Sequence, residues 1–361
     1  MLTRRVLPDW CYVKCGWRII QRIIIGTHLE ASKITRNKIF TDLLPVLPRV
    51  QKPARYTGGE LNQVCKDWDS VNTHFAIVFP EVYDVGVPNL GVSILYDQIN
   101  QRSDALAERA YAPWKDMEAE MRERGIPLYG LESKTPLIEF DIVGFSLPYE
   151  TLYTNVLNIL DLAEIPIRVE DRNEIHPLVI AGGHACFNPE PMHAFIDALV
   201  IGEGEEVIHD IINIHQKWKQ SKSDRATLMR MMSAIQGVYV PSLYQVEYCP
   251  DGTVKSILPI DASVPARVHK RIVASLPKPL TRFIVPNIEV VHDRVAVEIM
   301  RGCTRGCRFC HAGMINRPVR ERPVEMILEA IEEAVENTGH EEVALLSLSS
   351  SDYTEITRLV S

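Results

Sequence analysis

The chain has 361 residues, 46% hydrophobic and 24% charged, with a formal net charge of -8. That length supports two or three domains with sizeable cores, and the negative balance argues against a protein built around nonspecific nucleic-acid binding. The eight cysteines follow no secreted-scaffold spacing, which indicates a reducing compartment, the cytoplasm by default.

Residues 1–38 depart from this balance. Eight Lys or Arg against Asp9 and Glu30 give this segment +6 and leave -14 for the remainder. Arg22 interrupts its longest apolar stretch, far short of the ~20 residues a membrane span needs, and no small-residue cleavage site follows. The segment reads as a poorly ordered basic extension, and its Cys11 and Cys15, spaced CxxxC, have no further ligands nearby. From His74 onward strands and helices alternate, the mark of a parallel sheet covered by helices. Strands are expected at His74–Pro80, Asp104–Ala112, Phe140–Leu147, His176–Ala181 and Phe195–Ile201, with helices at Leu90–Asn100, Trp114–Arg124, Thr151–Ala163 and Glu205–Lys219. Such continuous apolar strands belong in a sheet buried on both faces. Two glycine motifs, Gly182-Gly183-His184 and Gly202-Glu203-Gly204-Glu205, follow the fourth and fifth strands, at the end where open α/β sheets bind ligands. Glycine there either lets backbone approach a ligand or serves the turn alone; Gly182, Gly183, Gly202 and Gly204 are candidate cofactor contacts.

A helix is expected over Ser221–Ala234 and a hairpin over Val238–Ile260, turned at Asp251-Gly252. Pro259, Pro265, Pro277, Pro279 and Pro286 make the following segment an extended connector, with Lys270 and Arg271 read as a solvated face. A strand over Arg294–Met300 then enters Arg301-Gly302-Cys303-Thr304-Arg305-Gly306-Cys307-Arg308-Phe309-Cys310-His311. Thiolates this close repel one another unless a soft cation relieves them. The CxxxCxxC spacing lacks the second knuckle of common zinc sites, and a 4Fe-4S cluster held by Cys303, Cys307 and Cys310 would keep one iron open to a ligand. Zinc held by the three thiols and His311, and chance clustering, are the alternatives. His311 neighbours Cys310 too closely to chelate beside it without strain, and reads as supporting. An amphipathic helix at Pro323–Asn337 and a buried strand at Glu342–Leu348 follow, ending at Ser349-Ser350-Ser351-Asp352-Tyr353.

The CxxxCxxC loop after a strand, with aromatic Phe309 before the third Cys, resembles the radical S-adenosylmethionine (SAM) enzymes. The resemblance implies that Cys303, Cys307 and Cys310 each ligate one iron of a 4Fe-4S cluster and that the fourth iron chelates SAM, which one electron cleaves to a 5′-deoxyadenosyl radical. It also implies that Phe309, Ser350, Ser351 and Asp352 lie near SAM, the last three at the place of a motif that touches its amino group. Upstream, FPEVYDVGVPNLG, FDIVGFSLPYETLYTN, VIAGGHACFNPEP and FIDALVIGEGEE, in that order, resemble the cobalamin-binding-type domain of many radical SAM proteins, over Phe40 to Lys219. That implies a flavodoxin-like fold with a corrinoid over the strand ends, although the Asp-x-His-x-x-Gly motif that supplies an axial His in many cobalamin proteins is absent. The expected fold class is α/β: a basic extension (1–38), a flavodoxin-like, cobalamin-binding-type domain (39–222), a helix, hairpin and Pro-rich connector (223–290), and the first βα units of a partial (β/α) radical SAM barrel (291–361). Two such units of roughly six read as an N-terminal fragment. The expected activity is reductive SAM cleavage serving corrinoid-linked methyl transfer or another modification, against a noncatalytic iron–sulfur or zinc protein. The implied partners are SAM and an electron donor such as flavodoxin or ferredoxin, with the substrate left open.

Overall fold

Strand β1 (Thr73–Phe79) is buried along its whole length apart from a half-buried His74. The structure, a computed structural model, describes residues 38–361; the expected basic extension, with Cys11 and Cys15, lies outside the described residues except for Lys38. Along β1, Phe75, Ile77 and Phe79 enter one core and Ala76 and Val78 another, as period-two geometry requires of a strand packed on both faces. The chain continues through α1 (Leu90–Asn100), β2 (Ala105–Tyr111), α2 (Lys115–Arg124), β3 (Ile142–Ser146), α3 (Tyr153–Leu162), β4 (Leu178–Gly182), β5 (Ala198–Val200), α4 (Gly204–Ser221), α5 (Arg225–Ser233) and β6 (Val238–Tyr239). The sheet order is β2-β1-β3-β4-β5-β6, with the first five strands parallel and β6 antiparallel to β5. This is the flavodoxin-like order of a doubly wound sheet. Met117 and Met121 of α2 and Val156 and Ile159 of α3 cover one face, and Val92, Ile208, Ile212 and Met229 from α1, α4 and α5 cover the other.

Three expectations shift. The helix expected over Ser221–Ala234 starts later: α4 runs through Ser221 and stops at Lys222, which adopts φ 50°, and α5 starts only after Asp224, whose side chain accepts the Thr227 N–H at 2.9 Å. The hairpin is shorter than expected, pairing only β7 (Tyr244–Tyr248) with β8 (Val254–Pro259). Val238 and Tyr239 leave it to extend the main sheet, because their side chains are buried there. The sheet and its cover therefore continue past residue 222.

A second body contains β9 (Val295–Glu298), β10 (Met300–Arg301), β11 (Arg320–Glu321), α6 (Val324–Thr338) and β12 (Val343–Leu346). β9 and β12 are parallel with α6 crossing between them, and β10 pairs with β11. Val295, Val297 and Ile299 pack against Ile327, Ala330 and Ala334 in a separate core. The strand expected to be buried at 342–348 is half exposed, with Val343, Leu346 and Leu348 open to solvent; among the described strands only β9 pairs with it. Among the described residues no helix is long and apolar enough to cross a membrane.

Candidate functional site

The carboxyl ends of β3, β4 and β5 open onto a cavity of about 510 Å3, within the range of small-molecule sites. All four candidate glycines line it, and its opposite wall is Met300, Arg301 and Gly302 in and after β10 together with Leu346 and Ser347 at the end of β12. The cavity thus lies between the two bodies, at the strand ends that the sheet topology favours for ligands. Two of the glycines are demanded by protein backbone. Gly183 (φ 119°) passes so close to the Leu147 carbonyl, and Gly202 (φ 118°) to that of Arg271, that a Cβ at either would collide. Gly182 and Gly204 lack positive φ, and a Cβ at Gly182 would meet only Val200 at 3.7 Å.

Charged residues that the sequence reading passed over join the bodies at this cavity. Arg301, just ahead of Cys303, reaches Glu205 at 2.7 Å, Glu298 at 2.9 Å and Glu203 at 3.6 Å. Arg320 donates to Glu203 at 2.8 Å, and the Val273 N–H does so at 2.6 Å. Burial alone would raise the Glu203 carboxyl, but the Arg320 and Val273 hydrogen bonds and the Arg301 charge hold it below the usual carboxylate range. Burial likewise opposes the charge on Arg301, and Glu298 and Glu205 overcome it, raising its pKa. The signal was present in the GEGEE motif, where the glycines drew the reading and Glu203 and Glu205 did not.

Lys270 and Arg271 are corrected as well. They form no solvated face: the Arg271 N–H donates to Ile201 O at 2.8 Å while its O accepts from Glu203 N at 3.1 Å, and Lys270 Nζ donates to the carbonyls of Ile315, at 2.9 Å, and Arg317. Extended backbone needs ladder partners, and the edge beyond β5 supplies them. His184, which follows the β4 glycines, contacts the Asn316 side-chain amide across the same boundary at 3.1 Å. Both flanks of the cysteine loop are therefore tied to the α/β domain.

Within the loop Cys303 is buried, Cys310 is half-buried and Cys307 is exposed. The Arg305 N–H points at Cys303 Sγ (3.4 Å) and the Gly313 N–H at Cys310 Sγ (3.3 Å). No Asp or Glu occurs from residue 299 to 320, so apart from His311 the side-chain donors here are the three soft thiols, which suit an iron–sulfur cluster. Among the described residues no three His, Cys, Asp or Glu side chains are gathered closely enough to hold a metal ion; the three thiols share a loop without converging. Phe309 is 92% exposed, and His311 stands edge-on to Phe187 with ring centroids 6.3 Å apart. Asp352 is brought to the loop: its carboxylate takes Arg305 Nε at 2.6 Å and Ser349 Oγ at 2.7 Å, and these partners lower its pKa to about 2. Ser350 Oγ pairs with Ser347 Oγ at 2.8 Å, whereas Ser351 is exposed.

Two family models match this chain: "Radical SAM proteins, N-terminal" over residues 91–241 and "Radical SAM superfamily" over residues 297–361. An uncharacterised protein of Methanocaldococcus jannaschii is 26% identical over 294 residues, which cover 79% of this chain and 51% of that protein. Two structures of the radical S-adenosylmethionine methyltransferase TsrM from Kitasatospora setae superpose with a TM-score of 0.44. One holds cobalamin and a 4Fe-4S cluster, with 12% identity over 80% of this chain and 50% of TsrM. The other holds tryptophan and aza-SAM, with 13% identity over 79% and 49%. The chain spans about half the length of these relatives.

Proposed function

We propose a reaction for what its two matched domains make this chain, a radical SAM protein: reductive cleavage of SAM at the cysteine loop, beside a corrinoid seated over the α/β strand ends. Cys303, Cys307 and Cys310 would hold a 4Fe-4S cluster, which when bound supplies the electron for cleavage. The remaining work belongs to the chain. Arg301, gripped by Glu203, Glu205 and Glu298, fixes where the loop leaves β10, and positioning of this kind carries large factors in rate. Phe75, Ile77 and Leu95 line the cavity with apolar surface that excludes water from a reactive species. Phe309, Ser350 and Ser351 are the proposed SAM contacts. Asp352 acts through Arg305, which its carboxylate already holds. The corrinoid would lie against the backbone at Gly182 and Gly204, where protein backbone does not itself demand glycine. A low-potential flavodoxin or ferredoxin would deliver the electron, and a corrinoid beside SAM makes methyl transfer the reaction class served.

The observation that carries this reading is the shared wall: Gly302, adjacent to Cys303, and Gly182 and Gly202 of the α/β domain face one cavity. Anaerobic reconstitution should load about four irons per chain in a reducible cluster, and Cys307→Ala should abolish both the cluster and reductant-dependent formation of 5′-deoxyadenosine from SAM. Protein that keeps one tightly bound zinc and rejects iron under the same conditions would replace this reading with a structural metal site.

A further inference from the structure

The cavity between the two bodies carries one charge that the protein leaves unbalanced. Of the carboxylates in its wall, Glu203 is held by Arg301 and Arg320, Glu205 by Arg301, and Glu298 by Arg301 and Arg322, so three carboxylates meet three guanidiniums. Arg271 is paired with Glu206 and Asp210. Lys270, half-buried in the same wall, is the exception, and among the described residues it enters no ion pair. Its Nζ donates to the carbonyls of Ile315, at 2.9 Å, and of Arg317. These contacts use two of its three N–H groups and leave the charge without a counter-ion. The surrounding chain offers none: Arg271 beside it and Arg317, whose carbonyl it holds, are both cations, and no Asp or Glu occurs from residue 299 to 320. An ammonium drawn partly out of water is costly until something negative reaches it, and the remaining N–H gives such a group a directed, charge-assisted contact.

We propose that Lys270 is the anion-recognising residue of this cavity, and that the ligand held there presents an anionic oxygen, phosphate or carboxylate, to its ammonium. The inference rests on the corrinoid reading above and names the chemistry that the site selects. Two sources carry such a group. In a cobalamin the side chains of the ring are neutral amides, and the phosphodiester of the nucleotide loop is the one formal anion at the periphery; an anionic group on the substrate is the other source. SAM matches less well, because its ammonium and sulfonium outnumber its single carboxylate and a bare cation repels the excess. A role confined to tying the cysteine loop would need only donors for the two carbonyls, which a neutral side chain supplies as well. The charge is what an anion requires.

The test titrates the full reconstituted chain, followed by absorption, with hydroxocobalamin and with hydroxocobinamide, which lacks the nucleotide loop and its phosphate. Lys270→Gln keeps donors for the two carbonyls and removes the charge, whereas Lys270→Arg keeps the charge. The Gln variant should bind hydroxocobalamin about tenfold more weakly and hydroxocobinamide as the wild type does, and Lys270→Arg should recover most of the loss. That result gives the anion to the corrinoid. If both corrinoids bind the Gln variant normally, inorganic phosphate and acetate titrated calorimetrically into the corrinoid-loaded chain are the second probe. Saturable binding to the wild type that Lys270→Gln abolishes gives the anion to the substrate. Equal weakening of both corrinoids overturns the proposal and leaves Lys270 as a tie to the loop; a Gln variant that matches the wild type with every probe does the same, and the corrinoid reading stands. In the wild type alone, added salt should weaken hydroxocobalamin binding more than hydroxocobinamide binding. Identical salt dependence, with no binding of phosphate or acetate, overturns the proposal without recourse to a variant. Failure of both corrinoids to bind the folded wild type removes the corrinoid reading, and this inference with it.

Discussion

Glu108 is a buried carboxyl outside the proposed site. It lies in β2, where burial first, and the charge of Glu132 second, push its pKa up to about 8, while Ser133 donates to it from N at 3.1 Å and from Oγ at 2.8 Å. Between its unfolded value near 4.3 and about 8 the folded chain therefore binds more protons than the unfolded one, so this group makes stability fall as pH rises through that window. Neighbouring Lys134, lowered by burial to about 8, has the opposite sign above pH 8, where the unfolded chain binds more protons. Glu108→Gln keeps the shape and an acceptor for Ser133 without a charge to bury. The variant should be more stable than the parent at pH 8, by on the order of 1 kcal/mol per pH unit above pH 5, with the advantage gone at pH 5; denaturant titrations at the two pH values decide it. An equal midpoint difference at both would mean that Glu108 is ionised in the fold.

At the level of elements, four of the five parallel strands were legible because each is mainly an apolar run, and a run buried on both faces requires no information from elsewhere in the chain; β2, which carries Glu108 and Arg109 at its middle, was legible only from the alternation of strands and helices around it. β6 was not legible. Two residues make it, and what commits Val238 and Tyr239 to the sheet is the free edge of β5, a tertiary fact. Lys270 and Arg271 were misread for the same reason: a paired basic dipeptide signals a wet surface only while its backbone has no ladder to join. The cysteine loop was legible as donor chemistry, whereas Arg301, Glu203 and Glu205, nearly a hundred residues apart along the chain, become neighbours only once two bodies meet. The glycine motifs divide along this line, and substitution separates their parts. Gly183→Ala places a Cβ against the Leu147 carbonyl at positive φ and should cost on the order of 1–3 kcal/mol in thermal unfolding. Gly182→Ala meets only ordinary contact with Val200, so its midpoint should hardly move while hydroxocobalamin binding, followed by absorption, weakens. Equal loss of stability in both would assign both glycines to the turn, and unchanged corrinoid binding in Gly182→Ala would remove that contact from the cavity wall.

For the molecule as a whole, the question is what makes an α/β domain and a separate βα body act as one. Their apolar cores are distinct, so the boundary relies on polar groups: the carboxylates of Glu203 and Glu205 facing Arg301 and Arg320, with Lys270 and His184 beside them. These charges are largely out of water, with side chains of Glu203, Arg301 and Arg320 only 10–13% exposed, and removing one partner strands the other without solvation. Glu203→Gln combined with Glu205→Gln should therefore cost roughly 2–4 kcal/mol, borne by the boundary and not by either core. The wild type should unfold in one calorimetric transition, and the double variant in two, the cysteine-loop body melting first. Because the Glu203 carboxyl sits below its ordinary value, its contribution is present above the unfolded carboxylate range near pH 4.3 and lost as pH falls through the lower folded value. Acidification of the wild type toward pH 3 should then reproduce the split that the variant shows at neutral pH. A double variant that keeps a single transition at the parental Tm would mean that the contacts of Lys270 with the Ile315 and Arg317 carbonyls and of His184 with Asn316 suffice to join the bodies, and the glutamates would then be left with orienting Arg301 ahead of Cys303.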